Sequence, residues 1–166
     1  MLPAVARLDE ITGCGVIAAQ AIIAEIGLDM TVFATPGRLV SWARRCPQTR
    51  QSGTKTTTGK AGKGNPYLNG VLGEIAAPAG RTGTFLGERY RRLARRRGKR
   101  KAVTAVARSV LVIIFCLLAD PEARFRDLGP DYHDNRISRD RKIASHVRQL
   151  QALGLTVTLT PAEEAA

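Results

Sequence analysis

The chain has 166 residues; 44% are hydrophobic, 26 are Lys or Arg and 14 are Asp or Glu, giving a formal charge of +12. That apolar content supports one packed domain, or a domain with an appendage, and excludes wholesale disorder. The basic excess favours a polyanionic partner, of which nucleic acid is the commonest. Cys14, Cys46 and Cys116 are odd in number and widely spaced, with no Cys-x-x-Cys pair, so neither a disulfide framework nor a zinc ribbon is indicated. They read as buried thiols in a reducing, cytoplasmic compartment. No basic region followed by an apolar run opens the chain, so no signal peptide is expected.

In chain order, residues 2–27 read as two helices around a Gly13-Cys14-Gly15 turn, with Ala18, Ala19, Ile22, Ile23 and Ile26 at helical spacing and Gly27 as a cap. This is the layout of a helix-hairpin-helix, which holds a phosphate on the amides opening its second helix; Gly13 and Gly15 are its candidate contacts. An ordinary tight helix-helix turn has the same appearance. Thr35-Pro36 starts a helix through Leu39, Val40, Trp42 and Ala43. Then comes the Gly-, Thr- and Lys-rich stretch 47–65, expected as an exposed loop or a β-hairpin from Thr49 to Thr58. No Asp or Glu occurs between Met30 and Gly73, whereas Arg38, Arg44, Arg45, Arg50, Lys55, Lys60 and Lys63 do. Backbone amides, hydroxyls and ammonium groups in such a loop suit a phosphate backbone.

Asn65-Pro66 starts the next helix, with Leu68, Val71, Leu72 and Ile75 on its apolar face. A helix over 84–97 carries Phe85, Leu86, Tyr90 and Leu93 on one side. It runs into Arg95, Arg96, Arg97, Lys99, Arg100 and Lys101, part of a stretch in which nine of the thirteen residues from Arg89 are basic. That density points to phosphate contact, although basic runs also form plain solvated faces. Ala102 to Ala119 is marginal in length for a bilayer and reads as a buried core helix with Val103, Val106, Val110, Ile113, Ile114 and Leu117 inward. No membrane partner is therefore expected. The remainder is polar, with a surface helix over 139–153 and an alternating strand-like segment at Leu155–Leu159. The domain reading is 1–120 as one unit and 121–166 as a polar tail.

These segments, in this order, resemble the C-terminal domain of transposases of the insertion-sequence 110/116/902 family. The resemblance rests on Leu8-Asp-Glu-Ile11-x-Gly13-x-Gly15, Glu25-Ile-Gly27, Phe33-x-Thr-Pro36-x-x-Leu39-x-Ser41-Trp42-Ala43, Gln51-Ser52-Gly53 and Lys63-Gly64-Asn65. It continues through Lys99-x-Lys101-Ala102 to Arg108 and into Asp127-Leu-Gly-x-Asp131-Tyr132-His133. It implies a mainly helical fold and a role in DNA transposition, with a guide RNA and assembly into a homo-oligomer. It also implies partnership with a RuvC-like domain, within a full-length transposase, whose acidic cluster binds a divalent metal such as Mg. The chain begins at the helix-hairpin-helix and is expected to be the half without that domain, inactive alone. The resemblance assigns Ser52 the role of catalytic serine in strand cleavage and joining. The basic groups around Ser52, namely Arg50, Lys55, Lys60 and Lys63, are candidates to stabilise charge on a phosphate, and with Gly53 and Asn65 they make up the candidate nucleic-acid-binding loop. The sequence departs from the family at Thr12, where Pro is usual, and at Asn69, where Arg is usual.

From the residues alone, Ser52 reads first as a turn serine bonding its own backbone, and the catalytic role comes from the resemblance. Tyr67, Tyr90 and Tyr132 lack the Arg and His set of a tyrosine recombinase. Asp127, Asp131, His133 and Asp134 read as a polar turn rather than a metal site, so no cofactor is expected in this chain. The run at Gly59, Gly62, Lys63 and Gly64 misses the spacing of a nucleotide phosphate loop. A non-catalytic nucleic-acid-binding remnant of a transposase is the alternative to the enzyme.

Overall fold

The computed structural model describes residues 3–46, 49–58, 62–135 and 139–159. It is mainly helical, as expected, and divides into two compact units, residues 1–130 and 131–166. In the first unit, α1 (Pro3–Asp9) and α2 (Val16–Ile26) flank a six-residue turn. Gly27 ends α2 at φ 77°, its N–H donating to the Ile23 carbonyl, as a glycine cap does. A 3-10 turn over Met30–Val32 leads to α3 (Pro36–Trp42), whose Thr35 hydroxyl accepts from Arg38 N at 3.3 Å.

The strands β1 (Thr49–Ser52) and β2 (Lys55–Thr58) form an antiparallel hairpin, with the register expected for a two-residue turn. α4 (Pro66–Ala76) starts on Asn65, whose Oδ1 accepts from Tyr67 N and Leu68 N at 2.9 and 3.2 Å. A 3-10 turn over Pro78–Arg81 precedes α5 (Phe85–Arg97). Thr84 caps α5 through Gly87 N, and Asp127 adds a second acceptor by taking Phe85 N at 3.1 Å. A carboxylate there complements the positive end of the helix. Asp127, read from sequence as part of a polar turn, is thus a helix cap.

α6 (Lys99–Ala119) is the central element, packing against α1, α3, α4 and α5. Ala102, Val106, Ala107, Val110, Leu111, Ile114, Leu117 and Leu118 are buried, while Val103 and Ile113 are half-buried against the same core. By length and composition α6 is long and apolar enough to cross a bilayer, but this burial makes it the core helix of a folded unit. Its start lies three residues before the expected Ala102. Gly98, at φ 82°, alone separates it from α5, so Lys99, Arg100 and Lys101 form a helical first turn.

The sequence left the position of Trp42 open, and one expectation, that of buried cysteines, is corrected. Trp42 lies in the helical pattern of α3 but is 48% exposed, because Leu39, Val40 and Ala43 already fill the inward side. The cysteines are not all buried: Cys14 is, Cys46 is half-buried and Cys116 faces outward from α6. Burial, aided by the nearby Asp9 charge, pushes the Cys14 thiol up to about 11, so it behaves as a small apolar residue.

The second unit contains α7 (Tyr132–Asn135) and α8 (Arg139–Ala152). Residues 155–159 form no strand; the alternation that suggested one has no neighbouring strand among the described residues to pair with.

Candidate nucleic-acid interface

Ser52 is the last residue of β1 and stands directly across the hairpin from Lys55. Gly53 takes φ 58°, and Arg44 is the one non-glycine at positive φ among the described residues, so Thr54 does not share that conformation. Glycine first and an ordinary residue second is the combination that suits the twist of a tight hairpin. Gln51, Ser52, Gly53, Thr54 and Lys55 are all exposed. Directly opposed residues have Cβ atoms about 5 Å apart, which puts the Lys55 ammonium within reach of any phosphate touching the Ser52 hydroxyl. Arg50 lies two positions before Ser52 on β1 and pairs with Thr57 in the ladder. Lys60 lies outside the described residues.

The segment before α4 is tied to α2, to α4 itself and to the end of α3. Gly64 sits at φ 61°, and a Cβ there would come within 2.8 Å of the Ala43 carbonyl and of Asn69 Nδ2, so only glycine fits. Asn69 Nδ2 donates to the Lys63 carbonyl at 2.8 Å, and Arg45 Nη2 to the Asn69 carbonyl at 2.9 Å. The amide of Asn65, besides capping α4 through its oxygen, donates to the Glu25 carboxylate of α2. Asn65 is thereby committed to fixing the start of α4 against α2. Lys63 leaves its side chain exposed.

Gly13 and Gly15 are exposed, but their environments differ. Gly13 has φ 86° and lies against the Ile75 carbonyl of α4, which fixes the α1–α2 turn on the core. Gly15 is the N-terminal cap of α2 at an ordinary φ of −74°, with nothing near its missing Cβ. The tight turn between two packed helices is present.

A second basic surface surrounds the α5–α6 junction. Arg95, Arg96 and Arg97 form the last turn of α5; Lys99, Arg100 and Lys101 form the first turn of α6, and all six are exposed. Cations favour the C-terminal end of α5 but oppose the positive end of α6, which has no acidic residue in its first turn. The residues from Arg89 to Ala119 include no Asp or Glu. The α5–α6 packing adds residues absent from the sequence-based set: Arg89 lies close enough to Arg92 and Arg108 for their charges to act on it. Burial first, then those two guanidiniums, lowers the Arg89 pKa, and its Nε has no protein partner among the described residues. Arg89 and Arg92, three apart on α5, share a face at a spacing the sequence shows, whereas Arg108 joins them only through the packing of α6.

Among the described residues, no group of three His, Cys, Asp or Glu side chains comes together to hold a metal ion. The arrangement is therefore an exposed hydroxyl on a cationic hairpin, plus a helical surface rich in exposed cations.

These features define a basic, mainly helical domain suited to nucleic acid. A family model described as the transposase IS116/IS110/IS902 family matches residues 5–91, just over half of the chain, and the chain belongs to that family. The match includes the hairpin and the segment before α4 and ends at Arg91, within α5. No curated protein and no solved structure matches the chain.

Proposed function

We propose that this chain is the DNA-binding, serine-bearing part of an insertion-sequence transposase, with Ser52 the nucleophile in strand cleavage and joining. The observation that carries the reading is the exposed Ser52 at the tip of a β-hairpin. It faces Lys55 within an acid-free stretch and lies inside the segment matched by the transposase family. In the proposed step the Ser52 oxygen forms a bond to a DNA phosphorus while the bond from that phosphorus to the departing strand breaks. Lys55, Arg50 and Lys63 offset the charge that accumulates on the phosphate oxygens. The basic turns of α5 and α6 hold the backbone, as do the amides and glycines of the α1–α2 turn in a helix-hairpin-helix role.

No proton acceptor accompanies Ser52 in the hairpin sequence, and the described residues do not fit a metal. The reading therefore assigns activation of the serine to a RuvC-like domain with its divalent metal, on the same or a separate polypeptide. A guide RNA and a multi-copy assembly complete it. The second reading, a non-catalytic remnant, draws on Asn69: where the family resemblance places an arginine, this chain has an amide turned to the Lys63 carbonyl.

A recombination assay run beside a DNA-binding assay separates the two. With a RuvC-like partner and guide RNA supplied, Ser52→Ala is expected to abolish strand transfer and leave binding within about twofold, since the loop's charge is unchanged. Undiminished strand transfer by the variant overturns the serine's role, and no transfer by the unaltered chain favours the remnant.

A further inference from the structure

We propose that Trp42, flanked by Arg38 and Arg44, is a stacking platform for an unpaired nucleotide, distinct from the hairpin tip and from the α5–α6 surface. This rests on the nucleic-acid reading above and adds to it a site for single-stranded rather than duplex substrate. The chain has one tryptophan. Trp42 is 48% exposed, and Phe33 makes an edge-type contact with its ring, with ring centres 5.6 Å apart at 60°. A half-exposed ring steadied by a second ring offers surface for a base to stack on. Trp42 borders an open depression of about 610 Å³ with Thr35, Gly37, Arg38, Ser41 and Arg44. That size is in the range of small-ligand sites, about 300–1,000 Å³. Arg38 and Trp42 are four residues apart on α3 and so share a face. A base on the indole, its phosphate met by the two guanidiniums, matches the way proteins hold single strands.

Arg44 provides the second, independent observation. α3 ends with Arg45 N donating to the Val40 carbonyl and Arg44 N to the Ser41 carbonyl, both at 3.0 Å. This is the paired closure in which the residue in Arg44's place is normally glycine. Arg44 adopts φ 55°, a left-handed conformation disfavoured for any residue with a Cβ. Its methylenes rest over Gly62, where a Cβ would meet Arg44 Cδ at 3.2 Å, and its exposed side chain borders the depression. An arginine kept where glycine is easier points to a task for its side chain. The same residue joins the depression to the segment before α4, at Gly62 and Gly64. No Asp or Glu occurs between Met30 and Gly73 to compete for either guanidinium from this part of the chain.

The test uses the full chain and its single tryptophan as reporter. Twelve-nucleotide single-stranded DNA, RNA of the same sequence and the matching DNA duplex are titrated while emission and oligonucleotide anisotropy are recorded together. Single strands are expected to quench the emission in step with binding, and the duplex to bind without quenching. Trp42→Ala should weaken single-strand binding about tenfold, in line with one stacked base, and leave duplex binding unchanged. Arg44→Gly should weaken single-strand binding while the melting temperature holds or rises; a purely structural arginine would lower that temperature. Quenching by DNA only or by RNA only identifies which strand the platform serves. Single strands that bind by anisotropy without altering the emission overturn the platform alone. Absence of binding to every oligonucleotide overturns the platform together with the nucleic-acid reading.

Discussion

Glu10 shows how one side chain joins distant parts of the first unit. Its carboxylate accepts from Arg124 Nε at 2.7 Å and from Phe125 N at 3.1 Å, fastening the segment after α6 to the end of α1. Nearby, Arg7 donates to the carbonyls of Leu117 and Asp120, satisfying the end of α6. The bond from Arg124 is the main cause that holds the Glu10 carboxyl below its ordinary value of 4.5, and Phe125 N and Arg7 act in the same direction. Because the folded-state pKa is the lower one, this contribution is present above about pH 4.5 and is lost as pH falls through the folded value. Glu10→Gln is therefore expected to lose less melting temperature than the unaltered chain on acidification from about pH 6 to 3. Parallel curves would show that Glu10 carries no pH-linked stability. Neither bond was legible in the sequence, since Glu10 and Arg124 are brought together only by the return of the chain along α6.

At the scale of elements, the sequence was most readable where a residue has one local job. Thr35-Pro36 and Asn65-Pro66 start helices because a side-chain oxygen meets free amides and proline needs none. Gly53 turns the hairpin for an equally local reason. The basic junction was less readable: Lys99, Arg100 and Lys101 looked like surface chain, yet they open α6 because Gly98 alone breaks the helix. The Arg89, Arg92 and Arg108 cluster depends on how α5 lies on α6, which no local pattern specifies. Six cations around one junction without a carboxylate repel one another, and a phosphate backbone relieves that. Replacing Arg95, Arg96 and Arg97 with Ala should flatten the plot of log affinity for duplex DNA against log salt by about 2 to 3 units, at roughly 0.9 per phosphate contact. An unchanged slope would place the DNA contacts elsewhere.

For the whole molecule, the mainly helical class and the central place of the 102–119 segment followed from composition and apolar spacing. The outward positions of Trp42 and Cys116 did not, because a helical period marks a stripe without saying how wide the partner surface is. The first unit depends on α6. Leu111, fully buried in that helix, is expected to cost about 2–5 kcal/mol on replacement by Ala, seen as a lower denaturation midpoint. A loss below about 1 kcal/mol would mean the site is solvated or collapses freely. That scaffold holds the segment before α4 through Gly64, Asn65 and Asn69. The most direct measurement is peptide mass mapping of this chain after reaction with DNA, in the presence of a RuvC-like partner and guide RNA. The expected product is a nucleotide joined to the peptide that contains Ser52, with no such peptide from Ser52→Ala. A nucleotide joined to another residue, or strand transfer that persists in Ser52→Ala, would contradict the serine's role.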